Sequence, residues 1–526
     1  MRRSVDAVVI GAGPNGLVAA NLLADAGWGV LLLEAEAKVG GAVASDSDVA
    51  DGFEHDTFSS FYPLVAASPV MRGLELERHG LAWSHAPAVI GTPDVDGRWA
   101  LLHHDPQRTA AGLDELHAGD GQGWLDLVDQ WQTLGGPLID SLLSPFPPVR
   151  AGLRLAATLP KVGGAAGIRL LIESARSLTE RHLAGETARL LIVGNAAHAD
   201  LSPDAAGSGV FGLLLAMMGQ QDGFPVPTGG AGRLADALAA RFVAAGGEIR
   251  CGAEVTEVVV DRGRAVGVRL SDGEFVRASS VVADVSAPAL YGGLVSWNDL
   301  PARTRARMAD FQWDPGTIKV DWALSGTVPW LQTPAAAPGT VHLASSVTEV
   351  STWMAQVTGG TVPADPFLLV GQMTTSDPTR SPPGTEALWS YTHVPQQVRH
   401  DELDRISGRW DGSEINIMAD RMQDRIERAA PGFTSRIVQR RILGPRELQG
   451  RNQNLHRGAL GGGTAALHQE LIFRPVTGWG RAETPIKGLY LGSASAHPGG
   501  GVHGACGANA ARAALFHRRL SFRNRR

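Results

Sequence analysis

Apolar and polar positions alternate in short, well-marked blocks at the start of the chain. Val5 to Ile10 is a β-rich run closed by Gly11-Ala12-Gly13-Pro14-Asn15-Gly16. Leu17 to Ala26 then has helix-forming composition up to Gly27, and Trp28 to Leu33 is a second apolar run that stops at Glu34. This order predicts strand, glycine turn, helix and strand, one βαβ unit of about thirty residues. Between Asp94 and His104 the Asp96-Gly97 pair separates two short apolar stretches and predicts a hairpin. From about Leu138 to Gln221 the chain is rich in Ala, Leu and Gly. Arg150, Arg154, Lys161, Arg169 and Arg176 are spaced among the apolar residues there, a pattern that predicts amphipathic helices.

The pattern changes again at Phe224. Pro225 to Gly232 forms a Pro/Gly loop before a helix whose Leu234, Leu238 and Phe242 recur on one face, ended by Gly246-Gly247. Glu254 to Leu270 and Glu274 to Val285 follow, punctuated by Arg262-Gly263 and Asp272-Gly273, and predict three or four strands joined by tight turns. Residues 286–480 are mixed, without repeats. Gly488 to Leu515 reads as strand, glycine-rich loop and Ala-rich helix, followed by an Arg-rich, solvated tail (Arg518, Arg519, Arg523, Arg525 and Arg526).

Composition narrows the function classes. A chain of 526 residues with 44% apolar and 19% charged side chains exceeds one compact core, which favours two domains. Lys and Arg total 47 against 53 Asp and Glu, a net charge of −6, so no electrostatic footprint for nucleic acid exists. Cys251 and Cys506 are the only cysteines, too few for a disulfide framework or a thiolate zinc site, and they suit a reducing, cytoplasmic setting. No HExxH, P-loop or nucleophile elbow occurs, and no metal site is expected. The N-terminus lacks a signal-peptide pattern, and no run reaches the roughly 18–20 apolar residues of a membrane span. The expectation is a soluble protein that touches a membrane surface at most, through its basic helices.

The chemistry lies in the glycine turns. Gly11-x-Gly13-x-x-Gly16 between a strand and a helix, with Glu34 ending the next strand, is a dinucleotide fingerprint. The first glycine makes the tight turn, the second lets the backbone reach a pyrophosphate, and the third lets helix pack on strand. The helix N-terminus favours the phosphates, and the Glu34 carboxylate can accept hydrogen bonds from ribose hydroxyls. Gly40-Gly41 follows directly. The segment from Leu489 through Gly492, His497, Gly499-Gly500-Gly501, Val502 and His503 to Gly507 sets a second glycine loop at a helix start. Two such loops favour FAD over NAD(P), because a flat ring with developing negative charge needs close backbone donors. His497 and His503 flank the triple glycine and are candidate proton donors or acceptors, as well as plain partners of loop backbone. His198 could line a substrate cavity from the helical region. Lys319, in Gly316-Thr-Ile-Lys-Val-Asp-Trp-Ala-Leu, is costly inside a strand unless partnered.

The opening fingerprint, the Gly40-Gly41 pair, the PTGGAGRLADAL loop-helix and the LYLGSASAHPGGGVHGACGANAARAA ending resemble the phytoene desaturase-like FAD oxidoreductases. That group includes carotenoid isomerases, retinol saturases and a branch named for a pyridine nucleotide-disulfide oxidoreductase domain, and its fold is similar to that of flavin amine oxidases. The resemblance covers both chain ends and residues 224–288 well and the middle poorly. It implies that Gly11, Gly13, Gly16, Glu34, Gly40 and Gly41 hold the ADP part. It also implies that the Val255 backbone meets the adenine, and that Gly492, Gly501 and Val502 lie along the ribityl chain and flavin. Ala42 stands where the family often has Arg or Lys, which removes one pyrophosphate-side charge. Lys319 resembles the amine-oxidase lysine that holds a water near flavin N5, and could also position oxygen or tune the ring.

The expected architecture is α/β: a Rossmann-like FAD-binding domain with an interleaved α+β substrate domain. Residues 1–93, 224–288 and 481–526 would build the first, and 94–223 and 289–480 the second, a helical cap included. The expected activity is oxidation or desaturation of a hydrophobic, isoprenoid- or lipid-like small molecule, with hydride transfer to N5 and oxygen or quinone as acceptor. No second nucleotide fingerprint supports direct NAD(P)H use. Amine oxidation, redox-neutral polyene isomerisation or saturation, and a non-catalytic FAD-containing scaffold are the alternatives.

Overall fold

The computed structural model describes residues 4–523. Strand β1 (Ser4–Ile10) runs into helix α1 (Pro14–Asp25) and returns as β2 (Val30–Leu33), with Ala7–Ile10 and all of β2 buried. Both strands pair in parallel, Ala7 with Val30 through Ile10 with Leu33. Burial on both faces explains their unbroken apolar sequence.

The next regular pairing lies elsewhere. Strands β3 (Ala88–Pro93) and β4 (Trp99–Leu102) form the hairpin expected around Asp96-Gly97, with Ile90 opposite Leu102. A helical block follows: α2 (Asp120–Leu143), α3 (Val149–Thr158), α4 (Ala165–Ile172), α5 (Glu186–His198) and α6 (Ser208–Asp222). Trp124, Leu127, Trp131 and Leu134 recur along the buried face of α2, and Trp124 Nε1 donates to Gln220 of α6 at 2.8 Å. Helix α7 (Gly232–Ala244) buries Leu234, Leu238 and Phe242 against α1 and the adjoining strands.

Strands β5 (Glu248–Arg250), β6 (Val255–Asp261), β7 (Arg264–Leu270) and β8 (Phe275–Ala283) complete most of the first sheet. Its order is β6-β7-β8-β1-β2-β5, and β14 (Leu489–Leu491) pairs in parallel with the end of β8. Helix α9 (Ala505–Arg523) closes it by packing on α1. Between them the chain forms β9 (Gly316–Leu324), β10 (Pro338–Leu343), β11 (Leu368–Gln372), β12 (Glu386–Val394), helix α8 (Gly412–Ala429) and β13 (Ile437–Leu443). The second sheet has the order β13-β9-β12-β11-β10-β3-β4, parallel only where β10 meets β3.

One expected boundary moves. The sequence pattern places residues 88–93 in the cofactor-binding part, but they form β3, which pairs with β4 and with β10 in the second sheet. Local apolar runs cannot tell which sheet a strand joins, because the register partner, here Thr340 for Ile90, is about 250 residues away.

Helices α1 and α9 meet without side chains between them: a Cβ on Gly507 would lie 1.9 Å from the Asn15 carbonyl oxygen. Gly507→Ala is therefore expected to force the helices apart and cost about 1–3 kcal/mol. A lowered thermal-unfolding midpoint checks this, and an unchanged midpoint would show that the interface gives without cost.

Candidate active site

The turn after β1 is shaped by what would otherwise collide. Gly11 has φ +90° and donates its N–H to the Leu33 carbonyl at 2.8 Å, which bends the chain across the top of β2. A Cβ on Gly16 would lie 2.1 Å from the Gly11 oxygen, so strand and helix touch through bare backbone. Gly13 caps α1, which has no side-chain cap and no acidic residue in its first turn. The Gly40 N–H donates to the Ala12 carbonyl at 2.9 Å, and Gly41 sits against Gly13. Two glycine loops thus stack at the open N-terminus of a helix, an arrangement suited to a pyrophosphate.

Glu34 is buried at the end of β2. Its Oε2 accepts the Ala12 N–H at 2.6 Å and its Oε1 the Glu36 N–H at 2.9 Å, which fixes the carboxylate at the edge of the cradle and leaves further lone pairs for a hydroxyl. The Glu34 carbonyl accepts from Ala253, two residues before Val255, the buried first residue of β6. Sequence reasoning missed Asp284. It follows β8 directly, donates its own N–H to Ile10 and accepts the Gly16 N–H on Oδ2 at 2.7 Å. Burial pushes its carboxyl up to about 7, with the Glu34 charge adding to the shift. No local signal marks it, because its partner is 268 residues away.

The second glycine loop follows β14. Gly492 donates to the Ala283 carbonyl at 2.9 Å, and Val502 packs half-buried on the core of the first sheet. Gly500 and Gly501 remain exposed, with Gly501 beside Leu64. His503 Nδ1 accepts the Ala505 N–H at 3.0 Å, so its proton sits on Nε2. His497 Nε2 lies 3.1 Å from the Ser144 carbonyl, and its ring meets Phe146 edge-on at 5.8 Å. Burial holds both imidazoles near 4, so both are neutral at pH 7. Their contacts brace the loop. Arg474, also missed, clamps the same loop: it donates to the carbonyls of Ala494 and Gly461 and pairs with Glu470 at 2.9 Å.

Lys319 stands on β9 and is buried. Its ammonium donates to the Asp56 carbonyl at 2.9 Å and pairs with Asp321, which pairs in turn with Arg441 at 2.8 Å. Burial lowers its pKa, opposed by Asp321. The Asp56 carboxylate meets Arg380 at 2.9 Å. Lys319 is thus the hub of an ionic tie between β9 and residues 46–56, and among the described residues no hydrogen bond joins it to the 493–504 loop.

A third group lies on the same face of the second sheet. Tyr391 is the register partner of Lys319. Its hydroxyl is 3.2 Å from His198 Nδ1, and its ring stacks on Trp389 at 5.8 Å and 22°. Trp389 in turn meets Phe61 at 6.0 Å, two residues before the helix Pro63–Ala67 that presents Leu64 to Gly501. His198 is accessible, yet surrounding protein outweighs the Asp200 charge and pulls its pKa to about 4. Nearby His393 is spoken for, since Asp200 lies 2.7 Å from its Nε2.

The stacked glycine cradle on a parallel-centred sheet, with a second loop returning from the C-terminal strand, defines a flavin-dependent oxidoreductase. Residues 15–392 match the family described as flavin containing amine oxidoreductase, and the chain belongs to that family. It is 29% identical to the pyridine nucleotide-disulfide oxidoreductase domain-containing protein 2 of Mus musculus, over 97% of this chain and 93% of that protein. It is 25% identical to a phytoene desaturase (lycopene-forming) of Pseudescherichia vulneris, over 97% and 98%. A limonene dehydrogenase polypeptide of Castellaniella defragrans is 23% identical over 97% and 94%. Two solved structures share the fold at a TM-score of 0.61: an oxidoreductase from Methanosarcina mazei (17% identity, 97% and 99% covered) and a putrescine oxidase triple mutant (16%, 98% and 99%). The protein is an FAD-dependent oxidoreductase of the amine oxidase/phytoene desaturase superfamily, as its glycine motifs led us to expect.

The cradle fits the pyrophosphate of FAD in shape and in donors, and Asp284 is the one discordant group. An ionised carboxylate there repels phosphate, so cofactor binding should raise its pKa further and take up a proton. FAD affinity is therefore expected to fall as pH rises above about 7, by at most tenfold per pH unit. Titration by flavin fluorescence should show this slope in the native chain and a flat profile in Asp284→Asn; a slope shared by both would clear Asp284.

Lys319→Met leaves Asp321 buried with one partner fewer. A loss of about 3–5 kcal/mol of stability is expected, read by denaturant unfolding, and most of it should return in Lys319→Met/Asp321→Asn. Undiminished stability in the single variant would detach Lys319 from the ionic tie.

Proposed function

We propose that this enzyme oxidises or desaturates an apolar, isoprenoid- or lipid-like small molecule. The observation that carries the reading is the wall of Leu64, Phe61, Trp389 and Tyr391, which leads from the accessible glycines of the C-terminal loop to His198. Binding sites for apolar ligands have this makeup, mostly aromatic with a few placed polar groups. The carboxylates nearby are engaged: Asp321, Asp56 and Asp200 by Lys319, Arg441, Arg380 or His393, and Asp314 by the N–H groups of Leu460, Gly461 and Gly463. Relatives named for phytoene and limonene, matched along nearly the whole chain, support the same class.

In this reading Gly11, Gly13, Gly16, Gly40 and Gly41 hold the pyrophosphate side, Glu34 the ribose, and the Val255 backbone the adenine. Gly492, Gly501 and Val502 line the ring side, while His497 and His503 hold the loop in shape. FAD, when bound, would supply a hydride acceptor at N5, with oxygen or a quinone as the expected final acceptor of the two electrons. Forming a C=C bond also releases a proton from the neighbouring carbon, and in this reading His198 takes it, supported by an imidazole that is neutral at pH 7 and lies 3.2 Å from the Tyr391 hydroxyl. The aromatic wall excludes water and holds the reacting C–H bond.

Anaerobic bleaching of the flavin tests this. Apolar polyenes or terpenoids should bleach it, and His198→Gln should slow that step by about 10²-fold while leaving FAD bound. Bleaching by amines and not by apolar compounds would overturn the reading in favour of amine oxidation. Flavin that no compound reduces would point to a scaffold.

A further inference from the structure

Residues 149–172 differ from the rest of the surface. They hold four basic residues, Arg150, Arg154, Lys161 and Arg169, and no acidic one, in a chain of net charge −6. Arg169 is paired with Glu173, whereas Arg150, Arg154 and Lys161 have no ion pair among the described residues. Helix α3 continues through the helical turn Leu159–Val162 and meets α4 across Gly163-Gly164, with a bend of 117°.

Both helices carry apolar residues on two faces. Ala151, Gly167 and Leu170 are buried, and Leu155, Leu159 and Val162 pack on the helical core. The outer face repeats the helical period: Val149 (63% exposed), Leu153 (67%) and Ala156 on α3, Ile168 (52%) and Ile172 (58%) on α4. Its edge continues into a second segment. The Ile172 carbonyl accepts the Gly207 N–H at 2.9 Å, Gly207 touches the Leu467 side chain, and Leu467, Leu471 and Ile472 are exposed as well.

The same surface is joined to the cofactor loop. The residues just before α3 supply the Ser144 carbonyl and the Phe146 ring that hold His497. The loop before Leu467 packs on Ala494 through Gly462 and on Gly500 through Gly461.

We propose that α3, α4 and the Leu467–Ile472 segment form a docking face for an anionic lipid bilayer, lying in its interfacial plane. Apolar side chains would enter the headgroup boundary while the three unpaired cations meet acidic lipids. The element lies on the membrane and does not cross it. Residues 149–162 span about 21 Å as a helix, against the roughly 30 Å hydrocarbon core, and their inner face is already packed on protein. Among the described residues no single helix is long and apolar enough to cross. Docking stands on the surface alone; passage of substrate from lipid to the cavity beside the loop rests on the apolar-substrate reading.

Flotation of the FAD-loaded full chain with phosphatidylcholine vesicles, with and without phosphatidylserine, tests the docking. Binding is expected only with phosphatidylserine and should fall with salt. Replacing Arg150, Arg154 and Lys161 together by Ala should weaken partitioning by roughly a hundredfold, and Leu153→Ser/Ile168→Ser should also release the protein. Unchanged flavin absorbance and unfolding midpoints show that the variants are folded. No binding by the native chain, or binding indifferent to both variants, would overturn the proposal. So would variants that change the sedimentation mass and not the flotation, since a second copy would then cover the face. Vesicle binding together with flavin that only amines reduce would keep the docking and remove the apolar substrate.

Discussion

The structure depends on the approach of the Gly11 turn and of two distant segments to the N-terminus of α1. Backbone meets backbone there: Gly16 rests on the Gly11 carbonyl, Gly507 on the Asn15 carbonyl, and the Asp284 carboxyl receives the Gly16 N–H. Each approach removes space that a side chain would fill. The N-cap residue, Gly13, supplies no side chain, so apart from the Gly16 N–H taken by Asp284 the helix start keeps its partial positive charge for an anionic cofactor. Asp284 shares that edge with less charge than an ordinary carboxylate, because burial pushes its pKa up to about 7.

Buried charge holds the second sheet to the first. The chain Lys319–Asp321–Arg441–Asp46, together with Asp56–Arg380–Asp377, ties strands β9 and β13 and the residues after β11 to the residues that follow the cofactor cradle. Such networks are costly to desolvate and pin down geometry more than they add stability. They fix the aromatic face of β12 relative to the C-terminal loop, because Tyr391 and Lys319 are register partners. Position in this enzyme is set by the ion pairs around Lys319, beside the aromatic rings of Trp389 and Tyr391.

Helices α2 to α6 contribute both inward and outward. Inward, Trp124 and Trp131 bury against α6 and His198 ends α5 beside the Tyr391 hydroxyl. Outward, α3 and α4 show an apolar, basic face whose root braces His497. A single block of helix thus separates the cofactor loop from the surroundings and connects the two.

The sequence alone determined what contiguous residues encode: the βαβ unit, the glycine turns with Glu34, the hairpin at Asp96-Gly97, the strand-loop-helix ending, and through these motifs the FAD-dependent class. Each rests on backbone geometry within a few residues, where a glycine or a two-residue period suffices as signal. Tertiary structure alone decided that Ala88–Pro93 joins the second sheet, that Asp284 and Arg474 belong to the cradle and the loop, and that His497 and His503 brace backbone. It likewise turned Lys319 from an isolated strand lysine into the hub of an ionic tie and set His198 beside Tyr391. Those roles are fixed by partners tens to hundreds of residues away, and periodicity along the chain carries no information about which distant segment folding will bring alongside.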